Sequence, residues 1–226
     1  MGDFLGQIIS YIYNIKLMWQ DATIIRINKG GYEMNADIRE LSKSLRPSLA
    51  ADRDQRSELH NLLDETKYRR LIVISGPPGS GKSALVATYI ATRNLPSIWY
   101  RLDDTDKNLA TFFHYFGIAA RETMLHKVAS MPDWRTDFSP ENSALTKQYF
   151  QEIYQHLETP FLVVLDDYQE VGDDTAFHDA ICVACRELPP GGRMVIISRK
   201  GCPPTLARLC TSNMVAIIEP DDLRPS

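Results

Sequence analysis

The eight residues Gly76-Pro-Pro-Gly-Ser-Gly-Lys82-Ser83 constrain this chain more than any other segment. They fit the spacing G-x-x-x-x-G-K-[ST], follow directly on the apolar run Leu71 to Ser75, and precede a stretch of helical pattern. Gly76, Gly79 and Gly81 permit a tight turn and a close backbone approach that a Cβ would obstruct. The N–H groups of such a loop and the N-terminus of the helix behind it converge on an anion. A phosphate cradle is therefore expected over Gly76, Pro77, Pro78, Gly79, Ser80, Gly81, Lys82, Ser83 and Ala84. Lys82 supplies a point charge for β- and γ-phosphates, and the Ser83 hydroxyl suits Mg²⁺. ATP or ADP with Mg²⁺ is the expected ligand.

The same region alternates short apolar runs with helical stretches. The runs are Leu71 to Ser75, Ser97 to Leu102, Phe161 to Leu165, Arg193 to Ser198 and Met214 to Ile218. Several are almost continuously hydrophobic, as strands covered on both faces must be. Helices are predicted over Ser83 to Thr92, Asn108 to Met124, Ser143 to Leu157 and Thr175 to Leu188. Strand and helix in repeated alternation predict an α/β fold: a three-layer α/β/α sandwich around a mostly parallel five-stranded sheet. Ahead of it, Arg46-Pro47 marks a boundary. A charged amphipathic helix then carries Leu59, Leu62 and Leu63 on one side. The expected division is a helix-and-hairpin appendage over 1–45 and a nucleotide-binding domain over 46–226.

The run Phe161 to Leu165 ends in Asp166-Asp167. Open parallel sheets bind their ligands at the C-terminal strand ends. Asp166 is expected to hold Mg²⁺, usually through water, and Asp167 to polarise the attacking water. The fourth run ends in Ser198-Arg199, and Arg199 is a candidate sensor of the γ-phosphate.

At 226 residues the chain suits one good-sized domain with a small addition. Its net charge of −4 excludes a chain-wide nucleic-acid surface, which requires clustered Lys and Arg. No apolar stretch reaches the roughly 18–20 residues of a membrane span. The apolar start, Phe4 to Trp19, is broken by Gln7, Ser10, Asn14 and Lys16 and lacks the marks of a secretory signal, so a cytoplasmic protein is expected. Cys182 and Cys185 have C-x-x-C spacing but sit inside a helical run, with no second tight pair. Together with Cys202 and Cys210 they are expected as reduced thiols that pack as small apolar groups.

Several separated stretches also resemble one family. Trp99-Tyr-Arg-Leu-Asp103-Asp-Thr-Asp106, then Phe112-Phe113 and Tyr115-Phe116, is similar to the second-strand signature of STAND ATPases. More closely, it resembles the nucleotide-binding domain of LuxR-type large regulators related to the maltose-regulon activator. Leu165-Asp166-Asp167-Tyr168 looks like that group's acidic motif. Ile197-Ser198-Arg199, Pro203-Pro204-Thr-Leu206-Ala-Arg208-Leu209 and Glu219 to Arg224 resemble its closing segment. The resemblance covers about 50–226. It implies phosphate, metal, catalytic and sensor roles for Lys82, Ser83, Asp166, Asp167 and Arg199. It also implies that the fourth strand lies between the first and the third. Asp52-Arg53-Asp54 is similar to the pre-loop element that borders the base, which adds Arg53 to the nucleotide site. Ser80 and Ser83 depart from the family's usual Tyr and Thr.

The N-terminal stretch resembles the end of an OmpR-type winged helix: Ile8 to Trp19 as recognition helix, Thr23 to Asn35 as wing, turning at Gly30-Gly31. Only Lys16 offers a basic group on that helix, and the family's effector-sensing and C-terminal DNA-binding regions have no counterpart among these residues. DNA contact is thus expected only through the N-terminal segment or through such further regions. The expected role is a slowly hydrolysing ATP switch in a signalling or transcription-regulating ATPase, working with a regulatory partner or a second copy. Two other readings stay open: a P-loop phosphotransferase such as a small-molecule kinase, and a non-hydrolysing scaffold or gene fragment stabilised by ATP. No clustered-Arg lid supports the kinase.

Overall fold

The computed structural model describes residues 43–44, 46–47, 57–124, 143–206 and 214–222. In chain order these form α1 (Ser57–Glu65), β1 (Leu71–Ser75), α2 (Lys82–Arg93), β2 (Ser97–Arg101), α3 (Leu109–Thr123), α4 (Ser143–Tyr154), β3 (Phe161–Asp166), α5 (Thr175–Glu187), β4 (Gly192–Ser198) and β5 (Val215–Ile218). The expected appendage and winged-helix resemblance lie outside the described residues, apart from Lys43 and Ser44.

All five strands are parallel, in the order β2-β3-β4-β1-β5. β4 therefore does separate β1 from β3, as the family resemblance implied. Side chains alternate across each strand and feed two cores. Leu71 and Val73 enter the larger core, with α3, α4 and α5. Ile72 and Ile74 enter the smaller one, with α1 and α2. The result is a three-layer α/β/α sandwich with no exposed face on the central strands, which is why their sequences read as unbroken apolar runs.

Aromatic rings fill the larger layer. Phe112, Phe113 and Phe116 of α3 meet Tyr149 and Phe150 of α4 and Phe177 of α5, all fully buried. Phe112 and Phe177 stand edge to face at 4.9 Å, and Phe113 and Tyr149 at 4.7 Å. Each such pair adds about 0.5–1.5 kcal/mol beyond the area it buries. The Tyr149 hydroxyl donates to the Phe113 carbonyl at 2.6 Å, so a buried polar group is satisfied where the two helices touch.

Local chemistry sets the ends of the elements. α2 begins behind Gly81 and stops at Asn94, whose left-handed conformation closes the helix. β2 ends at Arg101, one residue short of the predicted run. Beyond it Asp103 and Asp106 form a reciprocal capping box around the turn Asp104–Lys107. α4 ends at Tyr154 rather than Leu157, because His156 and Leu157 bond back only three residues. Cys182 and Cys185 lie buried in α5 and carry free thiols, as does half-buried Cys202. Burial pushes the Cys185 thiol up, well away from the thiolate. Cys210 lies outside the described residues.

Candidate functional site

The parallel register brings the C-terminal ends of the strands together: Ser75 lies opposite Ser198, and Arg101 opposite Asp166. A cavity of about 310 Å³ opens at this edge, lined by Pro78, Gly79, Lys82, Ser83, Asp166, Asp167 and Arg199 among others. It thus gathers residues from the first strand–helix turn and from the ends of β3 and β4.

The turn from β1 to α2 carries the predicted cradle. Gly79 and Gly81 have φ of +80° and +81°, a left-handed backbone that L side chains rarely adopt. The Gly76 N–H donates to the Ser198 carbonyl at 3.2 Å, which ties the start of the loop to β4. Lys82 is buried, and its ammonium donates to the carbonyls of Gly76 and Pro77 at 2.7 and 2.8 Å and to Ser80 Oγ at 3.1 Å. Burial lowers the Lys82 pKa most; the Arg199 charge lowers it further, against the pull of Asp166 and Asp167. Ala84 sits half-buried in the first turn of α2.

Across the cavity Ser83 Oγ donates to Asp166 Oδ1 at 3.0 Å. Adjacent oxygens around an octahedral Mg²⁺ lie roughly 2.9 Å apart, because each bond is about 2.0–2.1 Å. This hydroxyl and carboxylate are therefore close enough to share one divalent cation, the hydroxyl directly and the carboxylate directly or through water. The Asp166 pKa is raised, burial outweighing the hydrogen bonds from Ser83 and the Asp167 N–H, and the neighbouring Asp167 charge adds to the rise. A divalent cation would relieve that cost by offsetting the buried charge.

Asp167 is different. It leaves β3 with φ of +55°, uncommon for a residue with a side chain. Its Oδ2 accepts from Arg101 Nε at 2.8 Å, and its Oδ1 accepts from Gln169 Nε2 at 3.0 Å. Arg199 Nη2 stands 3.6 Å from Oδ1, and the Arg199 backbone N–H donates to Gln169 Oε1 at 2.9 Å. Burial raises the Asp167 pKa, but the hydrogen bonds from Gln169 and Arg101 and the charges of Arg101 and Arg199 outweigh it, so the net shift is downward. Two adjacent carboxylates are thereby pushed apart by their surroundings.

Lys82, Ser83, Asp166, Asp167 and Arg199 all reach this cavity. Arg53 lies outside the described residues. Sequence reading missed Arg101, Gln169 and Pro47, which also line it. Arg101 had a signal, a cation near the end of a strand run, but only the folded structure shows that it meets Asp167 and not Asp166, its register partner. Gln169 carried no comparable mark.

A family model described as AAA ATPase domain matches residues 53–197. The HTH-type transcriptional regulator MalT of Vibrio cholerae is 27% identical over 172 residues, covering 74% of this chain and 18% of that protein. The MalT regulator of Yersinia pestis is 31% identical over 160 residues, covering 70% and 17%. A solved Walker-type ATPase of Pyrococcus abyssi aligns over 78% of this chain and 55% of its own, with a TM-score of 0.41 and 14% identity. The matched region spans less than a fifth of the length of these regulators.

Proposed function

Because the chain belongs to the AAA ATPase domain family, we propose that its cavity binds ATP with Mg²⁺, hydrolyses it slowly, and serves as the switch module of a regulator resembling MalT. The observation that carries this reading is the meeting of Lys82, Ser83, Asp166, Asp167 and Arg199 at one sheet edge, beside a loop whose two left-handed glycines let the backbone approach an anion.

The roles follow from chemistry. The loop amides from Gly76 to Gly81 and the start of α2 at Lys82–Ala84 cradle the phosphates. On ligand binding, Lys82 exchanges its carbonyl partners for β- and γ-phosphate oxygens. Ser83 and Asp166 hold Mg²⁺, which neutralises developing phosphate charge when bound. Asp167 orients the attacking water, and Arg199 faces the γ-phosphate. ATP-dependent closure is read by a neighbouring region, a regulatory protein or a second copy.

Calorimetry with ATP and Mg²⁺ tests the reading. The unmodified chain is expected to give a saturable heat and Lys82→Ala none, while both keep the same circular dichroism. Steady phosphate release without an acceptor supports a hydrolysing switch. Tight binding without turnover would leave only a scaffold role, and phosphate transfer to a metabolite would replace the switch by a kinase.

A further inference from the structure

The chain leaves β3 through one short 3₁₀ turn, Tyr168–Val171, which Asp167 opens and Gly172 closes. Both flanking residues are left-handed, with φ of +55° at Asp167 and +65° at Gly172. Glycine adopts such a backbone freely. A residue with a Cβ adopts it at a cost and keeps it only where its surroundings over-determine the chain. The Asp167 carboxylate points where that backbone sends it, so whatever holds the turn also aims the carboxylate.

One imidazole grips the turn at both ends. His178, buried on α5, has Nε2 at 3.1 Å from the Gly172 carbonyl and Nδ1 at 2.9 Å from the Tyr168 hydroxyl. A carbonyl only accepts, so Nε2 carries the proton; Nδ1 is then bare and accepts from the hydroxyl. Burial lowers the His178 pKa by more than the Gly172 carbonyl and the charges of Asp173, Asp174 and Asp179 raise it, so the ring is neutral at pH 7. Tyr168 also stacks on this ring, with centroids 5.6 Å apart and planes at 22°, and meets Phe177 edge to face at 5.9 Å. Asp167 and Gln169 line the cavity, while Tyr168 between them enters the larger core.

We propose that His178 is a positioning residue for hydrolysis: bonded to Tyr168 and Gly172, it clips the turn to α5 and holds Asp167 in the backbone that presents its carboxylate to the cavity. This rests on the reading of the cavity as an ATP site. Without the clip, residue 167 relaxes toward the right-handed or extended backbone that side chains favour, and the carboxylate leaves the place from which it orders water. Nucleotide binding relies on Lys82, Ser83 and the loop before them, in a different element, and is spared.

The test measures steady phosphate release and Mg·ADP affinity, the latter by calorimetry, in the whole chain and in His178→Leu, His178→Asn and Tyr168→Phe. A catalytic group displaced by roughly 1 Å loses about 10²-fold in rate, so kcat is expected to fall by about that factor in His178→Leu and about tenfold in Tyr168→Phe, with KM and ADP affinity within about twofold. The double variant His178→Leu with Tyr168→Phe is expected to lose no more than His178→Leu alone, because both cut the same clip. His178→Asn, whose amide oxygen falls near the place of Nδ1 and accepts from Tyr168, recovers part of kcat. Should His178→Leu fail to fold, Tyr168→Phe, which lacks a single oxygen, carries the test. If the folded variants keep kcat, the proposal is overturned and the ATP site stands. A fall in ADP affinity together with kcat and a lower unfolding midpoint assigns His178 a structural role and also overturns it. Binding without turnover in the unmodified chain overturns it too and leaves the binding site. If the unmodified chain binds neither nucleotide, the ATP-site reading itself falls.

Discussion

Asp166 and Asp167 are neighbours in the chain, yet their surroundings give them opposite tendencies. Asp166 finishes a buried strand and meets a hydroxyl and a backbone amide, so burial dominates and its pKa rises. Asp167 turns out of the sheet and meets two guanidiniums and an amide, and its pKa falls. Ionised at neutral pH and lining the cavity, Asp167 is the better candidate to order water. Asp167→Asn keeps the shape of the side chain but removes its charge. It is expected to leave Mg·ATP affinity within about threefold by calorimetry and to lower steady phosphate release by about 10²-fold or more, the ordinary contribution of a positioned base. Unchanged release would take that role away from Asp167.

Among the elements, the turn behind β2 carries a feature that pattern reading left unexplained. Asp103-Asp-Thr-Asp106 reads as a family signature, and the structure supplies its physical work. Asp106 is fully buried and accepts from the Tyr100 hydroxyl at 2.7 Å, from Lys43 at 2.6 Å and from the Asp103 N–H at 2.8 Å. Lys43, also buried, comes from the stretch that sequence reading placed in the appendage, and its ammonium lies over the rings of Tyr100 and Tyr115. Burial raises the Asp106 pKa, and these partners limit the rise. Lys43→Ala leaves the carboxylate buried without its cation. The expected loss is about 3–5 kcal/mol in urea unfolding. The paired substitutions Lys43→Met and Asp106→Leu are expected to recover most of it, because no uncompensated charge then remains. A loss below about 1 kcal/mol in Lys43→Ala would mean that the pair is not buried in solution.

For the whole molecule, the ligand and the fold are linked through the sheet. The cavity draws on the first strand–helix turn and on the ends of β2, β3 and β4, so nucleotide binding holds segments far apart in sequence against one another. A ligand that binds only the folded state at about a hundred times its Kd adds about 2.7 kcal/mol. For a domain of this size that corresponds to a rise of roughly 5–10 °C in thermal midpoint, read by calorimetric melting with and without Mg·ATP. Lys82→Ala is expected to abolish the rise. A midpoint that does not respond to saturating nucleotide would separate binding from the folded core.

Much of this architecture is legible along the chain because burial and backbone geometry leave periodic marks. Strands covered on both faces must be apolar throughout, and a loop that wraps an anion must have glycine where φ is positive; hence β1 and its cradle stand out within a dozen residues. The boundaries of β2 and α4 differ by one to three positions because caps and short-range hydrogen bonds, not apolar pattern, end them. Partner choice is another matter. Arg101 meets Asp167 across 66 positions, and Lys43 meets Asp106 across 63. No local pattern encodes such pairs, since they depend on strand order and on a register in which one step moves every side chain to the other face. The residues that line the cavity are written in the chain; which of them hold one another is settled only when the strands pack side by side.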